Sequence, residues 1–386
     1  MARTVTAVVT LDGECLGATA PFPVAVPWWA DVDPVVTHLE ASLGVPVLVL
    51  RLLTVTDGDG ARDGHVTYHV EARARPTRGD LSRCAAPTDR HPLRVRWADP
   101  DGLRDLMDWA ASAVSVTGPV AQYRTWNLAA LFRLPTATGQ VWLKATPHFA
   151  ADEPAVIAAL AAVDPTLVPE VLAAGEHRML MADIPGEDRW DADEPTIESA
   201  IHRFVAAQAV VEPPAGLPDR RPATVVPRLE KLLDTDQDLT DEERTAAARL
   251  LPLWSTVEDC GLPNTLVHGD FHPGNWRGPR PTILDLADAH LGNPVLDGIR
   301  ACDFLPAPKR PTAARAWVEA WRTHRPGSDP ERALRVAEPL AHLMYALRYQ
   351  EFLDGIEPSE RIYHLGDPAS AVRAALRSTG NRSSQA

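Results

Sequence analysis

Leu266-Val267-His268-Gly269-Asp270-Phe271-His272-Pro273-Gly274-Asn275-Trp276 is followed, after Arg277-Gly278-Pro279-Arg280-Pro281, by Thr282-Ile283-Leu284-Asp285-Leu286. Two apolar, strand-like runs enclose side chains able to do chemistry. The Gly- and Pro-rich turn can fold the second run back on the first, bringing Asn275 and Asp285 together at one end of a hairpin. Both offer oxygen ligands, and Mg²⁺ takes one or two of these from protein and the rest from phosphates and water. Asp270, five residues before Asn275, can accept a proton or orient a hydroxyl. Metal ligands, an oriented hydroxyl and charge for phosphates are what phosphoryl transfer asks of a protein. The plainer alternative is a polar loop between strands with accidental spacing.

The segment resembles the signature of the aminoglycoside phosphotransferase and choline kinase group, which shares the two-lobed protein-kinase fold. The Asp-to-Asn spacing matches the kinase catalytic loop, with Gly269 where protein kinases carry Arg. Downstream, Asp288, Gly292, Pro294 and Asp297 resemble the group's Asp-x-x-x-Gly-x-Pro-x-x-Asp run. The resemblance implies Asp270 as catalytic base, His268 as support for the loop, and Asn275 and Asp285 as Mg²⁺ ligands. ATP or GTP is the implied co-substrate and a small-molecule hydroxyl the acceptor. The implied fold is α+β, with a small β-rich N-lobe and a mainly helical C-lobe, behind an additional N-terminal α/β domain.

Such a lobe needs a strand lysine for the nucleotide phosphates and a helix glutamate to pair with it. Val141-Trp142-Leu143-Lys144-Ala145 places Lys144 in a strand-like run, and Glu153 opens the next helix pattern, with Ile157 and Leu160 behind it. An ordinary edge-strand lysine is the competing reading of Lys144. Arg178 to Gly186 resembles the hinge between lobes, which assigns the Ala182 carbonyl and the Ile184 amide to the adenine edge. No Gly-x-Gly-x-x-Gly loop precedes Lys144, and Tyr123 to Leu134, read as one strand-like run, holds no glycine. Neither Asp-Phe-Gly nor Ala-Pro-Glu occurs, which argues against a protein kinase.

Four segments follow from the pattern: residues 1–115, 116–186, 187–376 and a polar tail, 377–386, expected to be disordered. Within the first, residues 33–55 faintly resemble the helix and strand of a Nudix hydrolase. Aligned on Gly44, the stretch Thr37 to Leu43 lacks that family's metal-binding glutamates. In the third, helices are expected at 197–208, from the capping box Thr240-Asp241-Glu242-Glu243 through Val257, at 311–323 and at 330–354. Glu351 and Asp354 on the last of these are candidates to meet a cationic amino sugar, against a plainer reading as surface acids.

The net charge of −14 over 386 residues argues against nucleic acid or an anionic membrane as partner. The longest apolar run, Val45 to Val55, is broken by Arg51 and too short to span a bilayer. The N-terminus lacks a signal peptide's apolar core, so a cytoplasmic protein is expected. Cys15, Cys84, Cys260 and Cys302 lack metal-ligand spacing and are expected as reduced thiols. The expected activity is phosphotransfer from ATP or GTP to a small-molecule alcohol. That alcohol is either an aminoglycoside or related antibiotic, or a metabolite such as a sugar, amino alcohol or hydroxy amino acid. A catalytically silent nucleotide-binding module is the contrasting class. The sequence does not give the oligomeric state.

Overall fold

The β-branched run ending at Thr56 is apolar on both faces, as a strand covered on both sides must be. In the computed structural model, which describes residues 3–87 and 89–383, it forms a strand with six consecutive buried residues at its start. The chain divides into two units. The first comprises Met1–Phe149, Leu172–Asp183 and Phe352–Leu365; the second holds Ala150–Val171, Ile184–Glu351 and Gly366–Ala386.

The first unit opens with β1 (Arg3–Leu11), β2 (Glu14–Ala18), β3 (Phe22–Val24), α1 (Asp33–Leu43), β4 (Val47–Thr56) and β5 (His65–Ala72). Their order is β2-β1-β5-β4, with β1 and β5 parallel, β4 antiparallel to β5, and β3 paired to β1. After α2 (Pro100–Ala113) come β6 (Ala121–Thr125), β7 (Ala130–Thr136), β8 (Gly139–Ala145), β9 (Val171–Gly175) and β10 (Arg178–Ala182), in the order β6-β7-β8-β10-β9. Strand β4 belongs to two cores. Val47 and Val49 pack with Val35, Leu39 and Trp29, while Leu48 and Leu50 pack with Leu103, Phe132 and Leu143. Each fully buried side chain of this size contributes roughly 1.5–3 kcal/mol. Gln122 on β6 spans the edges of the two sheets, accepting from the Val49 amide at 2.8 Å and donating to the Val49 carbonyl at 2.7 Å. The boundary expected near residue 115 therefore falls inside this unit.

The run read as one strand from Tyr123 to Leu134 is two, β6 and β7. The chain turns at Trp126, whose amide meets the Ala129 carbonyl at 3.1 Å. Buried Asn127 pins the turn, bonding the Glu360 carbonyl and the His364 ring. Alternation alone hid that polar anchor.

The second unit contains α3 (Glu153–Ala161), α4 (Glu194–Gln208), α5 (Pro222–Thr235), α6 (Asp241–Ala248), α7 (Leu253–Glu258), β11 (Thr265–Val267), β12 (Trp276–Arg277), β13 (Thr282–Ile283), β14 (His290–Gly292), α8 (Val295–Asp303), α9 (Arg310–His324), most of α10 (Pro330–Gly355), and α11 (Asp367–Ser383). The capping box at Thr240 forms as read, but its helix stops at Ala248. Pro252 cannot donate a helical hydrogen bond, and the chain restarts as α7 beyond it. The C-terminal segment expected to be disordered is helical through Ser383. Its apolar anchors, Val372 and Ala375, lie before the polar stretch that suggested disorder, and Arg373 pairs with Glu243 at 2.7 Å. No helix among the described residues is long and apolar enough to cross a membrane.

Candidate active site

Strand β11 pairs with β14, Val267 opposite His290, and delivers the chain into a turn at Gly269 with φ +86°. A Cβ here would lie 2.4 Å from the Asp288 carbonyl oxygen, so only glycine fits. Asp297, buried in the first turn of α8, locks the turn. Its carboxylate accepts from the amides of His268 (2.8 Å) and Gly269 (3.0 Å), and from Gln208 Nε2 on α4 (2.8 Å). Burial outweighs these bonds and pushes its pKa up to about 6. Thus the last Asp of the downstream run shapes the loop. His268 is fully buried; Nε2 donates to the Leu284 carbonyl at 2.9 Å, while Nδ1 accepts the Asp270 amide at 3.2 Å. This one ring ties the loop carrying Asp270 to the strand that leads to Asp285.

The hairpin forms as the turn predicts, with Trp276 opposite Ile283 and the Leu284 amide on the Asn275 carbonyl at 2.8 Å. Asn275 and Leu284 are therefore neighbours across the ladder, and Asp285 is the next residue. The Asn275 side chain turns its Nδ2 toward Asp270, onto the backbone carbonyl (2.9 Å) and Oδ2 (3.2 Å). Its Oδ1 accepts no hydrogen bond from the described residues. Asp285 is exposed and sits in the left-handed region at φ 60°, ψ 61°, a conformation Asp tolerates better than most residues. One carboxylate and one amide oxygen at the same end of a hairpin fit Mg²⁺, which draws its remaining ligands from phosphates and water. No cluster of three or more metal-ligating His, Cys, Asp or Glu side chains exists among the described residues, and the pair here needs none.

Asp270 is held from both sides. Arg300 of α8 places Nε at 2.8 Å and Nη2 at 2.6 Å from Oδ1, and His272 Nε2 lies 3.2 Å from Oδ2. Burial works to raise its pKa, but Arg300 and His272 overcome that and hold the carboxyl well below the usual carboxylate range. Those two partners belong to one aromatic cluster. The His272 ring stacks on Phe304 (4.4 Å) and on Trp190 (5.0 Å), which also touch each other (6.0 Å), and the Arg300 guanidinium lies over Phe304 (4.2 Å) and Tyr345 (4.6 Å). Sequence reading assigned no role to any of the five. Arg300 alone left a signal, standing one helical turn after Asp297.

The structure separates the remaining candidates. Lys144 lies on β8, the central strand of its sheet, between Leu131 and Met179 and only 8% exposed, which rules out the edge-strand reading. Ala182 ends β10 opposite Val141. The division between units falls between Asp183 and Ile184, and the Ile184 carbonyl accepts from Arg277 at 2.9 Å. Glu153 belongs to the second unit; it is buried, and its Oε1 accepts the Leu286 amide at 2.9 Å. It steadies the backbone immediately after Asp285, a contact the sequence did not suggest. Glu351 is no open acid for a cationic acceptor. It takes Arg220 (2.6 Å), Arg228 (2.7 Å) and Arg348 (2.9 Å), while Arg348 also pairs with Asp288.

The family model described as "phosphotransferase enzyme family" matches residues 124–334, more than half of the chain. No curated protein matches it by sequence. Among solved structures, choline kinase LicA from Streptococcus pneumoniae is similar at a TM-score of 0.55 and 12% identity, covering 72% of this chain and 98% of that one. A choline kinase from Cryptosporidium parvum gives 0.54 at 8% identity, over 73% and 97%. The aminoglycoside phosphotransferase APH(4)-Ia gives 0.48 at 17%, over 70% and 99%. At such identities the likeness to the two choline kinases is one of fold.

Proposed function

The chain belongs to the phosphotransferase enzyme family, and we propose that it moves the γ-phosphoryl group of ATP or GTP to a hydroxyl of a small molecule. The observation that carries this reading is the Leu284-to-Asn275 backbone bond, which closes the hairpin with Asp270, Asn275 and Asp285 at one end. In the transfer, the acceptor oxygen bonds to the γ-phosphorus while the bond from that phosphorus to the β–γ bridging oxygen breaks. The nucleoside diphosphate leaves with the electron pair. The hydroxyl proton passes to the Asp270 carboxylate and from there to solvent.

Asp270, held below the ordinary carboxylate range, is a weak base. It orients the hydroxyl in the ground state and takes its proton late, once bond formation to phosphorus has made that proton acidic. Asn275 Oδ1 and the Asp285 carboxylate would hold Mg²⁺, which when bound would offset charge on the nucleotide phosphates. Asn275 Nδ2 and His272 fix one oxygen of Asp270, and His268 sets the loop against the strand. Lys144 would supply charge to the phosphates, Glu153 steadies Leu286, and the Ala182 carbonyl and Ile184 amide would meet the adenine edge. Both an antibiotic and a metabolite alcohol satisfy this chemistry.

Nucleoside-diphosphate release in the presence of candidate acceptors tests the reading. Acceptor-dependent release by the wild type and its loss in Asp270→Ala belong to a phosphotransferase. Nucleotide binding without release for any acceptor belongs to a silent module.

A further inference from the structure

The charge around Asp270 has the wrong sign for a cationic acceptor. Arg300 sits on the carboxylate, and as an arginine it stays charged at every working pH. Glu351, one of the acids on α10 that the sequence offers to an amino group, is committed to three arginines, and Asp288 to one of them. Asp303, which also feels Arg300, is drawn toward its neutral form by burial.

The guanidinium is also built to bind something more. It packs against the Phe304 and Tyr345 rings and is bonded through two nitrogens to Asp270, so its planar fork is held in place before any ligand arrives. Nε and Nη2 face Asp270, but Nη1 has no hydrogen-bond partner among the described residues, and the side chain keeps 17% of its surface open. Beside it the buried Tyr345 hydroxyl also lacks a partner, so a second donor is unspent. From this arrangement, and resting on the phosphotransferase reading above, we propose that the acceptor carries an oxyanion, a carboxylate or a phosphate, which pairs with the open edge of Arg300 while its hydroxyl faces Asp270. Arg300 would then select the substrate and position the base at once.

Acceptors matched in carbon skeleton give the test. Glycerate, glycerol phosphate, glycerol and aminopropanediol form one series; gluconate, glucose phosphate, glucose and glucosamine form the second. Nucleoside-diphosphate release is measured for each with wild type, R300K and R300Q. The expected result is a KM for the oxyanion members of at least one series about 10- to 100-fold below that of the neutral member. The carboxylate and phosphate arms identify which oxyanion is taken. R300Q should reduce that preference to within about threefold, and R300K should retain part of it, keeping the charge without the fork. Because the preference is a ratio on one enzyme, a changed basicity of Asp270 cancels from it.

Equal or better use of neutral or cationic members by the wild type overturns the inference. If no compound stimulates release, Tm shifts by the same carboxylates and phosphates decide. A shift in wild type that R300Q abolishes supports the inference, and equal shifts in both proteins overturn it. The parent reading fails separately, when Asp270→Asn responds to an acceptor as fast as the wild type.

Discussion

Gly269→Ala should cost more than its backbone angle explains, and Gly216 provides the comparison. Both glycines have φ +86°, but a Cβ at Gly216 meets nothing within 4 Å. Gly216→Ala therefore bears only the left-handed penalty, roughly 1–2 kcal/mol. At Gly269 the same Cβ lies 2.4 Å from the Asp288 carbonyl oxygen and 3.1 Å from its carbon. Both are backbone atoms, which no rotamer change can move. Opening that contact to an ordinary distance displaces the turn by about 0.6 Å or more. The Gly269 amide, 3.0 Å from Asp297, then no longer makes a hydrogen bond, and losing one bond to a charged acceptor costs about 1.5–3 kcal/mol. Gly269→Ala should thus lose roughly 2.5–5 kcal/mol, some 1.5–3 more than Gly216→Ala, out of a total of about 5–15. Asp270 moves with the turn, so turnover should fall by about 100-fold. Urea unfolding of both variants and nucleoside-diphosphate release check this. Equal destabilisation within about 0.5 kcal/mol, or full turnover in Gly269→Ala, refutes the packing argument.

Asp285→Asn keeps a side chain tolerant of the left-handed region but removes a charged oxygen; turnover should drop at least about 100-fold with Tm unchanged, and retained activity would remove Asp285 from the site. Glu360 is buried beside Glu357, and burial first, then that neighbour, raises its pKa from 4.5 to about 8. The folded state then holds a proton that the unfolded chain releases, so this group's stability is full below about 4.5 and is lost as pH rises through 8. In Glu360→Gln the decline of Tm between pH 5 and 8 should flatten; profiles parallel to the wild type contradict the assignment. Cys15 and Cys84 are free thiols with sulfurs 3.3 Å apart, and burial pushes the Cys84 thiol up to about 11. Oxidation by glutathione disulfide should join them slowly near neutrality and faster as pH approaches 11, read by intact mass before and after reduction; a rate flat with pH speaks against it.

What the sequence discloses and what it hides divide along a physical line. Asp270, Asn275 and Asp285 are legible because the turn from Arg277 to Pro281 brings them together over a few residues. The Gly269 requirement is legible as a residue but not as a cause, since the carbonyl it meets belongs to Asp288. Lys144 is legible as a strand lysine, but its central position depends on β10, paired from more than 30 residues downstream. Glu351 marks the limit. On a helix it reads as an acid free to receive a cation. Folding adds Arg220 and Arg228, more than 120 residues away, to Arg348 one helical turn before it, and removes that role. Arg300 does the same to Asp270 across 30 residues. Local spacing reveals which atoms can react, because bonded geometry carries them. The sign of the charge an acceptor meets depends on which side chains close the site through space, and one arginine on the far wall can reverse it.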